Sequence, residues 1–116
     1  MSQTIGTGAD SLVLKLSQDA WNGSAQYTVS VDGKQVGGTL TALASHAAGQ
    51  DDLLTVRGDF ADGQHTVTVN FLNDAYGGSA AADRNLYVDG ITCNGEAVDH
   101  SVKAMLAAGP ADFAFA

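Results

Sequence analysis

Along most of its length the chain alternates apolar and polar residues, the period of a strand with one buried and one wet face. In "SLVLKLS" the residues Leu12, Leu14 and Leu16 share one face, while Val13 and Lys15 share the other. "QYTVSV" repeats the pattern with Tyr27, Val29 and Val31 and runs into Asp32-Gly33, a dipeptide suited to a tight type I′ hairpin. A return strand from Lys34 to Leu40 follows. "DLLTVRGDF" and "GQHTVTVNFL" read as a further pair joined at "ADGQ", with Val67, Val69 and Phe71 facing inward. "NLYVDGITCNG" offers Leu86, Val88, Ile91 and Cys93 before an Asn94-Gly95 turn, and "ADFAFA" alternates once more. Only "VDHSVKAMLAAG" suits a short helix, which Gly109-Pro110 would stop. About seven or eight short strands with frequent turns predict an all-β fold, an antiparallel β-sandwich of jelly-roll type.

A length of 116 residues suits one domain, 1–116, whose core needs no covalent staple. The lone Cys93 forbids an internal disulfide and reads as a small buried hydrophobe. No stretch approaches the ~20 apolar residues of a membrane span. The opening "MSQTIGTGAD" has neither the basic start nor the apolar run of a secretory leader. A formal charge of -8 with only five Lys and Arg lacks the positive potential that nucleic acid or anionic membranes require. Of the 13 acidic residues all but Glu96 are Asp. Asp favours turns, caps and hard-cation sites where Glu favours helices, so the imbalance points to a loop-rich β protein and raises calcium as a ligand.

Catalysis finds no constellation. His46, His65 and His100 lie far apart and outside any metal-ligand spacing, with His65 placed as a strand-end residue. A nucleophile elbow, a Cys with a base and a Gly-rich phosphate loop are all missing from the sequence. The stretch "FLNDAYGGSAAADRNLYVDG" is better suited to a cation. Ca²⁺ takes about six to eight oxygen ligands, and Asn73, Asp74, Asp83 and Asn85 supply side-chain oxygens around a hinge at Gly77-Gly78. An ordinary solvated loop is the alternative reading. In "SQDAWNGSAQY" the only Trp, Trp21, sits in a turn between Asp19 and Asn22. It either caps the core or offers a flat face to a sugar ring, and Tyr76 could serve similarly. The adjacent Asp51 and Asp52 of "SHAAGQDD" are a lesser cation candidate.

"VNFLNDAYGG" followed by "DRNLYVDGITCNG" resembles the calcium-dependent carbohydrate-binding modules of family 60, which are related by circular permutation to family 36 and bind xylan and similar β-glycans. The resemblance covers about residues 10–98. It implies a non-catalytic, extracellular and monomeric module, part of a larger protein, in which Ca²⁺ at one end of a β-sandwich is coordinated directly by vicinal hydroxyls of the sugar. By position Asp74 matches the carboxylate after Asn, and Asn85 falls where the family can have Asp after Arg, with Asp83 able to restore the charge. The family continues into a segment bearing Trp and Cys, whereas "EAVDHSVKAMLAAGPADFAFA" has neither. The "DAWNG" loop is the substitute inferred from the chain itself: Asp19 and a carbonyl near Trp21 as ligands, with Trp21, Asn22 and Tyr76 shaping the sugar groove. The rival is a structural or adhesive domain of a large secreted bacterial protein, in which calcium only rigidifies loops.

Overall fold

Alternate leucines of β2 (Asp10–Asp19) turn one face of a sheet into the core: Leu12, Leu14 and Leu16 are fully buried, while Lys15 between them is exposed. The computed structural model describes residues 2–60 and 63–115. The other strands are β1 (Ser2–Gly6), β3 (Gln26–Val31), β4 (Lys34–Thr41), β5 (Asp52–Gly58), β6 (His65–Phe71) and β7 (Ala75–Tyr76). After a short 3₁₀ turn at Ala80–Ala82 come β8 (Asp83–Cys93), β9 (Glu96–Ala97), β10 (Lys103–Met105) and β11 (Gly109–Phe115). One sheet has the order β1-β5-β2-β8-β10, with β7 and β9 attached to β8; the other runs β11-β6-β3-β4. Neighbours within a sheet are mostly distant in sequence, the exchange between layers that a jelly-roll sandwich requires. Val29, Val67, Val69, Phe71 and Phe113 of the second sheet complete one hydrophobic cluster with the β2 leucines, Leu86 and Val88.

The turn chemistry follows the sequence. Asp32 and Gly33 have φ of 50° and 82°, the paired positive values of a type I′ hairpin between β3 and β4. Asp32 accepts a 2.6 Å bond from His65 at the start of β6, tying that turn to the neighbouring strand.

Four expectations change. The segment proposed as a helix instead holds β10, antiparallel to β8, with Met105 opposite Leu86 and buried. Three residues are too few to show a strand period, so pairing with β8 decides the conformation. β5 and β6 are not a pair: β5 lies between β1 and β2, β6 between β3 and β11, so the connection crosses from sheet to sheet. Ala61 and Asp62 of the expected "ADGQ" turn lie outside the described residues. The strand count rises to eleven among the described residues, because β1, β7, β9 and β10 are short or wet on both faces. The antiparallel rule also has an exception, β1 running parallel to β5.

One irregularity positions side chains. Lys15 faces Gly90 but Leu16 faces Val88, leaving Asp89 as an extra residue in β8. This bulge lets both Val88 and Ile91 reach the core and releases Asp89 from the ladder. No helix among the described residues is long and apolar enough to cross a membrane.

Candidate metal and ligand site

Residues directly opposite in an antiparallel pair share a face, so strand register gathers polar side chains without any local sequence signal. Asp19 at the end of β2 faces Asn85 of β8. On the other side of β8, Tyr76 faces Asp83 and Ala75 faces Arg84. Asp19, Asp83 and Asn85, read from the sequence as oxygen ligands, thus meet at one corner of the sandwich, and Asp74 immediately precedes β7, the strand that pairs with Asp83 and Arg84.

Asn85 is buried and its Nδ2 donates to Asp19 Oδ2 at 3.1 Å and to Asp83 Oδ2 at 3.2 Å. Tyr87 donates its hydroxyl to the same Asp19 oxygen at 2.5 Å. Burial, then the hydrogen bond to Asp19, pushes the Tyr87 phenol up to about 12, so it remains a donor. No three His, Cys, Asp or Glu side chains among the described residues stand as a ready-made ion cage; an amide separates the carboxylates instead. Three side-chain oxygens are buried with no hydrogen-bond partner among the described residues: Asn85 Oδ1 at this corner, Asp74 Oδ1 just before β7, and Asp52 Oδ1 at the start of β5. An orphaned buried oxygen is costly, by about 1–3 kcal/mol each, and hard oxygens of this type suit Ca²⁺. The residues present fit the ion.

The loop partners divide differently from the sequence expectation. Arg84, only 9% exposed, sends its guanidinium to the carbonyls of Trp21 (2.9 Å), Asn22 (2.6 Å), Gly23 (3.3 Å) and Asn73 (2.7 Å). The carbonyls of Trp21, Asn22 and Gly23 thus serve Arg84. Asn73 is likewise structural, its amide accepting from Gln26 N at 2.7 Å and donating to Ser24 O at 3.1 Å. A lone Arg beside several acidic residues carries no sequence signal that it will clamp backbone carbonyls.

Trp21 is half-buried, and its ring rests against Gly77. A Cβ on Gly77 would lie 2.6 Å from Trp21 Cζ2 and 2.8 Å from Ala82 Cβ. The hinge glycine thus serves close approach between the two loops. Gly77→Ala is expected to lower stability by about 1–3 kcal/mol, read from urea melts. In a Trp21→Ala background the loss should shrink; an unchanged loss would show that the indole is not what Gly77 accommodates. Tyr76, 64% exposed beside Asp83, is the open aromatic, while Asn22 is exposed with a left-handed φ of 52°.

A second polar group adjoins the first. His46 stacks on Tyr87 with ring centroids 3.6 Å apart, and its Nδ1 lies 2.9 Å from Ser17 Oγ. Ser17 donates to Asp89 at 2.6 Å. A hydrogen bond shared with Asp89, and burial after it, pushes the Asp51 carboxyl up to about 6. Asp52 turns away: it is 6% exposed and accepts from the backbone of Leu43 (2.8 Å) and Ala44 (3.1 Å). Both bonds go to Asp52 Oδ2, while Asp51 beside it is exposed.

Beside the Asp19–Asn85–Asp83 corner opens a cleft of about 390 Å³, lined by Asp19, Ala20, Leu43, Ser45, Ala81 and Asp83. That size falls within the range of small-molecule sites, ~300–1,000 Å³. Searches among curated proteins and among solved structures return no match. A family model described as a Ca-dependent carbohydrate-binding module, xylan-binding (CBM60), matches residues 11–107, from the start of the buried face of β2 to just past β10. A calcium-suited corner next to an open cleft on a β-sandwich agrees with that description, and the chain belongs to this family of non-catalytic, calcium-dependent carbohydrate-binding modules.

Proposed function

We propose that Asp74, Asn85, Asp83 and Asp19 hold Ca²⁺ at the mouth of the cleft and that the module binds a xylan-like β-glycan there. The observation that carries this reading is the pair of buried, unpartnered oxygens, Asn85 Oδ1 at the corner with the Asp19 and Asp83 carboxylates and Asp74 Oδ1 just before β7. When bound, the ion supplies coordination positions for two neighbouring sugar hydroxyls. The chain's own residues supply the rest. Tyr87 orients Asp19. Asn85 spans the carboxylates, and Tyr76 offers its exposed ring to the apolar face of a sugar. Trp21 supports the loop from behind by packing on Gly77, with the exposed Asn22 at its rim. We place the module outside the cell, as a monomeric part of a larger protein, on the strength of the family alone.

The rival reading, calcium as a mere stiffener of loops in an adhesive domain, is disfavoured by Arg84, which already ties both loops together through four carbonyls. Affinity electrophoresis in soluble xylan separates the two. Retardation is expected with calcium, lost in EDTA and restored on adding calcium back. Retardation that persists in EDTA would sink calcium-mediated sugar binding. A calcium-dependent melting temperature without any retardation would favour the stiffener.

A further inference from the structure

Leu43 is 52% exposed, yet the backbone that carries it is among the most tightly held outside the strands. Its N–H and that of Ala44 bond to the buried Asp52 carboxylate. Gln18 grips the flanks: its Nε2 donates to Ala42 O at 2.7 Å, its N–H to Ala44 O at 2.9 Å, and its carbonyl accepts from His46 N at 2.9 Å. These bonds hold the backbone on both sides of Leu43, so its half-exposed side chain is presented from a fixed frame. It also stands between two clefts. Leu43 lines the one at the Asp19–Asp83 corner and, on its other side, a cleft of about 450 Å³ that includes Gln50 and Asp51.

We propose that Leu43 forms the apolar floor of a second sugar subsite, occupied by the glycan unit next to the one held at the calcium corner; this rests on the reading given above. A pyranose unit has C–H faces and a hydroxyl rim. The lining offers both kinds of group: Leu43, Ala20 and Ala81 are apolar and two of them small, while Gln18, Ser45, Asp19 and Asp83 are polar. Both clefts share Leu43, which makes it the apolar residue common to the corner and to the surface at residues 43–52. Beyond it, Gln50 and the exposed Asp51 offer hydrogen-bonding groups to the next hydroxyls. The site therefore reads an extended glycan and not an isolated sugar.

Calorimetry at saturating calcium tests this with xylose and xylohexaose as probes, on the unaltered chain, on Leu43→Ala and on Leu43→Gln. The unaltered chain should bind xylohexaose more tightly than xylose. Both variants should lose about fivefold on xylohexaose, about 1 kcal/mol, with little change on xylose. Calcium affinity and the melting curve should stay as they were, since the side chain is half in water. Equal xylohexaose affinity in all three proteins would overturn the subsite while leaving the calcium corner standing. An unaltered chain that binds neither probe in a calcium-dependent way would overturn both.

Discussion

Arg84→Ala is expected to lower the free energy of unfolding by about 3–5 kcal/mol and to abolish glycan binding with it. The guanidinium makes five hydrogen bonds to four backbone carbonyls, and charge-assisted bonds of this kind contribute about 1.5–3 kcal/mol each before the losses overlap. Truncation removes the guanidinium donor from the carbonyls of Trp21, Asn22 and Asn73, leaves Gly23 O with the Trp21 N–H alone, and opens a hole between the 19–24 and 73–77 loops. Arg84→Lys should recover only part of the loss. An ammonium keeps the charge but cannot place a planar fork against carbonyls on two separate loops. Urea melts give the stability, and Trp21 emission reports the loop directly, because the carbonyl of that residue is one of the four held. A variant with the parent midpoint and emission would show that the loops stand without the clamp.

Asp74→Ala should act in the opposite sense on folding. Its Oδ1 is buried without a partner in the protein, so removing it relieves an unsatisfied group and should raise the stability of the calcium-free chain by about 1 kcal/mol. Calcium affinity should fall about a hundredfold or more, since even residues that merely orient ligands account for 10–100-fold. Glycan binding would vanish at ordinary calcium levels. Stability gained and binding lost in one substitution is the mark of a residue kept for function against the preference of the fold. Calcium titration beside thermal melts in EDTA measures both. Unchanged calcium affinity in Asp74→Ala would remove this residue from the site, and reduced stability in EDTA would give it a structural role instead.

These two neighbours also show how unevenly the site could be read in advance. Of the residues proposed as ligands, Asp74, Asp83 and Asn85 stand out in the sequence because oxygen-bearing residues around a glycine hinge are what a calcium loop would need. The contribution of Asp19 followed from composition near Trp21, but its meeting with Asn85 depends on a register between strands 66 residues apart. Arg84 as a clamp, Tyr87 as the support of Asp19, the His46 stack and the exposed Leu43 had no local pattern. Each takes its role from a partner supplied by another strand or loop.

The sequence by itself determined the strand character of β2, β3, β4, β5, β6, β8 and β11, because side chains alternate with a period of two and a buried face must be apolar wherever it occurs. It also determined the turns at Asp32-Gly33 and Asn94-Gly95, since few residues accept positive φ. Tertiary structure alone decided which strands share a sheet, that residues 103–105 extend along β8, and that Asp89 bulges free. Local periodicity says which face of a strand is buried but not what lies beside it. Pairing across the chain therefore chose the neighbours, and with them the calcium-suited corner and its cleft.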